Sequence, residues 1–107
     1  GGKIDFGETI ESAAIRELYE ETGIQAHAVN TFTAVDVFGR DDSGQIQQHF
    51  VHIAVLCRWI AGEPVAGDDA LDARWIPIRS LENHDLALSL GVVEVAHLAN
   101  KLESQTL

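Results

Sequence analysis

Between Thr9 and Gly23 the apolar residues Ile10, Ala14 and Leu18 recur at every fourth position, which lines them up along one side of a helix. Thr9 supplies an N-cap side chain, and Gly23 suits the left-handed residue at which such a helix stops. Ahead of the helix, Lys3 to Asp5 reads as a short extended piece ending in a turn at Phe6-Gly7. From His27 to Phe38 the chain becomes rich in Val, Thr and Phe and reads as a strand. Gly39-Arg40-Asp41-Asp42-Ser43-Gly44 is a turn signal, and Ile46 to Ile60 reads as a second long strand. Two strands around one turn predict an antiparallel hairpin. Phe32, Phe38 and Phe50 are assigned to the core of that sheet.

Ala61 to Asp69 is a Gly/Pro/Asp loop. Ala73 to Ile78, with Trp75 and Ile76, predicts a short strand that closes near Pro77, and Trp75 is read as a core residue. Arg79 to Asn83 is expected to form a helical turn capped by Ser80. From Leu90 to Leu102 the residues Val92, Val93, Val95, Ala96, Leu98, Ala99 and Leu102 make an apolar face broad enough for a buried helix. Strands mixed with two helices point to an α/β or α+β sandwich. No repeat, low-complexity tract or linker divides the chain, so residues 1–107 are read as one domain.

Composition narrows the class. A chain of 107 residues with 46% hydrophobic and 22% charged residues has the balance of a globular domain and not of a disordered tail. The longest apolar run, Ile53 to Cys57, is far short of the ~20 residues a membrane-spanning helix needs. With 7 Lys and Arg against 17 Asp and Glu, the formal charge is −10. That charge argues against nonspecific nucleic-acid binding, which depends on basic residues neutralising phosphates. It also means that a phosphorylated substrate would be repelled unless a cation intervened. Cys57 is the single cysteine, so an internal disulfide and a Cys-rich zinc site are excluded, and its apolar neighbours predict a buried thiol. No signal-peptide pattern follows Gly1-Gly2, and the expected compartment is the cytoplasm. The sequence holds no methionine, so a part N-terminal to Gly1 is expected to have been cleaved or left out.

The candidate chemistry lies in the first helix. On a helix with about 100° between residues, Glu17, Glu20 and Glu21 share one arc of about 100°. Like charges at this spacing repel, and the helix C-terminus is where acidic residues are least favoured. A solvated acidic face is the bland reading of such a run. A hard divalent cation is the functional one, since carboxylate oxygens suit Mg²⁺ or Mn²⁺. Arg16 and Glu20, four residues apart, can pair and hold the cluster.

The flanking residues extend the pattern. Gly2, five residues, Glu8, seven residues, Arg16-Glu17-Leu18, one residue, Glu20-Glu21, one residue and Gly23-Ile24 together resemble the Nudix box of the nucleoside-diphosphate-linked-moiety hydrolases. The resemblance implies an α/β/α sandwich with a mixed sheet, in which the box forms a loop, a helix and a loop. It implies that Glu17, Glu20 and Glu21 bind Mg²⁺, with Mn²⁺ as a substitute, and that the Gly1 carbonyl adds a further metal contact. Arg16 and Glu8 would orient the carboxylates. The implied reaction is attack of a metal-activated water on one phosphorus of a diphosphate linkage. The catalytic base would be a box glutamate or an acidic residue on a downstream loop; Asp68 and Asp69 are candidates for the latter, or simply polar loop residues.

Outside the box, Gly62-Glu63-Pro64-Val65-Ala66-Gly67-Asp68-Asp69-Ala70 and Ala73-Arg74-Trp75-Ile76-Pro77 look like bacterial Nudix hydrolases of the ADP-ribose pyrophosphatase type. ADP-ribose, cleaved to AMP and ribose 5-phosphate, is therefore the first substrate expectation. The alternatives are a house-cleaning nucleoside triphosphate pyrophosphohydrolase and a non-catalytic Nudix-like ligand-binding module. Modules of the second kind commonly lose a metal-binding glutamate, and this chain keeps all three. The family has strands before the box that this sequence lacks, so the domain is expected to be truncated at its N-terminus. A partner chain supplying those strands, or a defective fragment, would also account for their absence. The implied partner is a small-molecule nucleotide, with no nucleic acid or membrane, and a homodimer is an open expectation. His49 and His52 differ in strand parity, so they point to opposite faces and cannot chelate one metal together. Arg40, at the hairpin tip, either reaches a phosphate or ribose or belongs to a solvated turn.

Overall fold

The computed structural model describes residues 2–67, 72–81 and 92–105. Its first element is helix α1 (Ile10–Thr22), and its boundaries follow from its caps. Thr9 is extended at φ −75° and ψ 160°, and its hydroxyl oxygen accepts from the Ser12 amide at 3.1 Å. Just before it, the Glu8 amide donates to the Asp5 carbonyl at 3.0 Å, closing the expected turn at Phe6-Gly7. At the other end Gly23 takes φ 75°, a left-handed conformation that costs a residue with a Cβ, and its amide donates to Tyr19 O at 2.8 Å.

Strands β1 (Gln25–Arg40) and β2 (Ile46–Ala61) form the antiparallel hairpin. Each is longer than its composition predicts, and Gly39 and Arg40 belong to β1 instead of the turn. The turn is organised by Asp41. Its Oδ1 accepts from the Ser43 amide and hydroxyl and from the Gln45 amide at 2.7–3.0 Å, and its Oδ2 accepts from Gln47 at 3.1 Å. Beyond the turn the register runs Phe38↔His49, Asp36↔Val51 and Ala34↔Ile53 down one face. Val29 and Phe32 are extra residues in β1, and each resets which side chains face α1.

Helix α1 lies mainly against β1, and among the described residues the buried hydrophobic ones are Ala13, Ile24, Ala26 and Leu81. The class is mixed α+β, as expected. Several local expectations fail because the described sheet has only two strands. Phe38, Phe50 and Trp75 are not core residues; they are 44%, 48% and 60% exposed, with Phe38 and Phe50 on opposite faces of the two-stranded sheet. Residues 73–77 form no strand, since they pair with neither β1 nor β2. Ser80 is not a cap: it lies inside a single 3-10 turn (Ile78–Ser80), entered through Pro77 with its φ fixed at −59°. Helix α2 (Val92–Gln105) is present where a helix is predicted, but Leu98 is exposed and the described neighbours leave its apolar face half covered. Arg58 on β2 reaches Glu103 on α2 at 2.8 Å. The predicted ends at Asp69, Asn83 and Leu90 lie outside the described residues.

The capping geometry of α1 gives a direct test. Thr9→Ala removes the acceptor for the Ser12 amide and should destabilise the protein by about 1 kcal/mol. Urea unfolding of the two proteins measures it, and Thr9→Ser should restore most of the loss.

Candidate functional site

Arg16 projects from the middle of α1 towards the loop that precedes the helix, and its guanidinium meets acceptors on several sides. Its Nε and Nη2 donate to the two oxygens of Glu8 at 2.8 and 2.9 Å, a bidentate pair of the strong kind. Nη1 donates to Glu17 at 2.9 Å and, at a longer 3.2 Å, to Glu20. Nη2 also reaches the Lys3 carbonyl at 2.9 Å, and Asp5 stands 3.6 Å from Nε. The expected Arg16–Glu20 pair therefore exists, but it is the weakest of the three glutamate pairs. Glu8 and Glu17 are 16% and 17% exposed against 41% for Glu20, so solvent screens the Glu20 pair most.

The electrostatics follow from these contacts. Arg16 and the Asp5 amide donate to the Glu8 carboxylate and hold it below the usual glutamate range. Glu8 and then Glu17 push the Arg16 guanidinium further up, so it stays a cation at any working pH. Lys3 and Asp5 were not among the sequence candidates. The available signal was the closeness of Asp5, Gly7 and Glu8: Gly7 at φ 85° turns the loop, and the Asp5 amide donates to Glu8 Oε1 at 3.0 Å.

Glu17, Glu20 and Glu21 do lie on one stripe of α1, but as described they do not converge. Among the described residues no three His, Cys, Asp or Glu side chains come together closely enough to hold a metal ion. The donor chemistry nevertheless suits a hard cation, and Gly2 adds to the fit. The Glu17 carboxylate occupies the space where a Cβ on residue 2 would stand, so a side chain there would displace that carboxylate. Gly1, Asp68 and Asp69 lie outside the described residues.

The secondary candidates fall out as follows. His49 and His52 point to opposite faces. His49 bonds Asp36 at 2.8 Å and stacks on Phe38 with ring centres 4.5 Å apart. His52 lines a cavity of about 1140 Å³ between α1 and β2, together with Glu17, Glu21 and Phe50. Arg40 is held in the turn by the Gly44 carbonyl at 2.9 Å and lies over the Phe38 ring. Cys57 is half-buried, and burial raises its pKa, which keeps it a thiol.

Comparison with known proteins bears on the acidic stripe directly. The family model for the NUDIX domain matches residues 1–93. The chain belongs to the Nudix family. Its similarity extends to an "ADP-ribose pyrophosphatase" of Methanocaldococcus jannaschii, 35% identical over 81 residues, which are 76% of this chain and 46% of that protein. It is also 34% identical over 106 residues to the "Putative mutator protein MutT4" of Mycobacterium tuberculosis, covering 96% of this chain and 42% of that protein. The chain thus spans less than half the length of either relative. Nudix hydrolases generally use divalent metals, and the helix, loop and glutamates described above lie wholly within the matched segment.

The Glu8 environment predicts a pH dependence. A carboxyl whose pKa falls on folding contributes stability that is complete above its unfolded pKa and is lost as the pH drops through the folded one. The difference in unfolding free energy between wild type and Glu8→Gln should therefore be constant above about pH 5 and shrink below about pH 4. Urea unfolding across that range checks it; a difference that stays constant down to acid pH counts against the Arg16–Glu8 clamp.

Proposed function

We propose that this Nudix protein hydrolyses the diphosphate linkage of a nucleoside diphosphate joined to a second moiety, with a divalent cation held by Glu17, Glu20 and Glu21. The observation that carries the reading is the carboxylate stripe clamped from one side by Arg16 and Glu8. ADP-ribose, giving AMP and ribose 5-phosphate, is the first substrate. A relative named for that activity, 35% identical over 76% of this chain, supports the choice. Mg²⁺ is the proposed ion and Mn²⁺ its substitute, both being hard cations that take carboxylate oxygens. The Gly1 carbonyl is proposed as a further donor. Cytoplasm is the proposed setting; among the described residues no helix is long and apolar enough to cross a membrane.

When bound, the cation neutralises the diphosphate and lowers the pKa of a water at the phosphorus. The chain's own residues set up that encounter. Of the three glutamates bonded to Arg16, Glu20 would be the one to yield to the ion, because its bonds to Arg16 are the longest of the three and its side chain the most exposed. Arg16 keeps its bidentate hold on Glu8 and its bond to the Lys3 carbonyl, so the loop before α1 stays in place while Glu20 turns. Glu17 is confined between Arg16 and the bare Cα of Gly2. A proton leaving the attacking water goes to a box glutamate or to Asp68 or Asp69. The net charge of −10 then acts as a filter: without the cation an anionic substrate is turned away.

Product analysis on ADP-ribose and on nucleoside triphosphates, with and without Mg²⁺, tests the reading. Metal-dependent AMP and ribose 5-phosphate from ADP-ribose is the expected result. Pyrophosphate released from a triphosphate, with ADP-ribose untouched, would keep the chemistry and replace the substrate. Glu20→Gln combined with Glu21→Gln should lower turnover by more than about a hundredfold while the protein stays folded, since ligands matter at least as much as the groups behind them. Full metal-dependent activity in that double variant would overturn the site.

A further inference from the structure

Residues 62–67 leave β2 and run back along the last turn of α1, where their contacts are between backbones. The Trp59 indole N–H donates to the Gly62 carbonyl at 2.8 Å and fixes the point of departure. The Val65 amide then donates to Thr22 O at 2.8 Å, and the Gly67 amide to Glu21 O at 2.9 Å. Within the helix end itself, the Gly23 amide donates to Tyr19 O and the Thr22 hydroxyl to Leu18 O at 2.6 Å. The bonds to Tyr19 O, Glu21 O and Thr22 O satisfy carbonyls that an α-helix leaves open at its C-terminus.

The approach is close enough to require two glycines. A Cβ on Gly62 would stand 2.6 Å from Gly23 O, and one on Gly67 would stand 2.6 Å from Glu20 O. Gly62 also has φ +100°, so its backbone conformation already favours glycine. Gly67 has no such conformation, and only the contact excludes a side chain there. The atom it would strike is the main-chain oxygen of Glu20, which cannot swing aside as a side chain can.

The turn gripped in this way is one that its own sequence opposes. Glu20 and Glu21 bring negative charge to the negative end of the helix dipole, beside a third glutamate one turn back. The amides of Val65 and Gly67 place partial positive charge on the carbonyls of that turn. We propose that residues 62–67 are a strap and that Gly67 is a positioning residue, holding the turn that carries Glu20 and Glu21 in the conformation that accepts a divalent cation. The inference rests on the metal-dependent reading above and extends it to a segment outside the acidic stripe.

Linkage makes the inference testable, because a strap that favours cation binding is itself tightened by it. In the whole protein, hydrogen exchange followed by NMR during a Mg²⁺ titration should show the Val65 and Gly67 amides slowing as the ion binds. The Gly44 amide, bonded to Asp41 O in the distant hairpin turn, should not change. Calorimetry on Gly67→Ala should give an Mg²⁺ affinity about tenfold weaker, with Glu20→Gln as the reference for loss of a ligand. Mg²⁺ binding that leaves both strap amides unchanged overturns the proposal, as does wild-type affinity in a folded Gly67→Ala. If Gly67→Ala does not fold, the exchange measurement on the unsubstituted protein decides alone. A wild-type protein that takes up no Mg²⁺ overturns the metal-dependent reading and the strap with it.

Discussion

One guanidinium balances the acidic half of α1. Arg16 is bonded to Glu8, Glu17, Glu20 and the Lys3 carbonyl, and without it the helix would present its carboxylates with no internal counter-charge among these contacts. The bonds are unequal. The bidentate pair with Glu8 joins the helix to the preceding loop and is partly sheltered, whereas the Glu20 pair is long and exposed. On the proposed metal-dependent reading, the firm pair keeps the site folded and the weak one leaves a carboxylate for the cation. Lysine could not replace Arg16, since a single ammonium cannot present the fork that grips Glu8 while reaching the other acceptors.

Support for the crowded helix end comes from two directions. From the side, Arg16 offsets repulsion between side chains. From below, the main chain of residues 62–67 satisfies the carbonyls of the final turn. The first acts on charge and the second on backbone position, so they are not substitutes for one another. The glycines mark where the second kind of support requires close contact: Gly62 against Gly23, and Gly67 against Glu20.

Much of this was legible in the sequence, for identifiable reasons. The caps of α1 are local, so Thr9 and Gly23 fix its ends whatever surrounds it. The hairpin is also local, because the Asp41 turn closes on residues within six positions of it. The acidic stripe follows from helix geometry alone. What failed depended on partners remote in sequence. Trp75 and Phe38 look like core residues only if another layer covers them, and residues 73–77 make a strand only when paired with another strand. The strap was equally hidden: a loop rich in Gly and Pro shows no periodicity, and the contact of Gly67 with the helix end is visible only in three dimensions.

The Asp41 turn has a consequence for the order in which the molecule assembles. A hairpin closed by its own turn zips away from that turn, each new pair adding a small loop-closure cost to those already made. Pairing reaches Gln25 and Ala61 at the far end of this zipper. Only then is Gly62 delivered beside Gly23, where residues 62–67 can engage the helix. If the hairpin zips from this turn, the grip on the glutamate-bearing turn is a late event in folding and, in the reverse direction, one of the first parts to open.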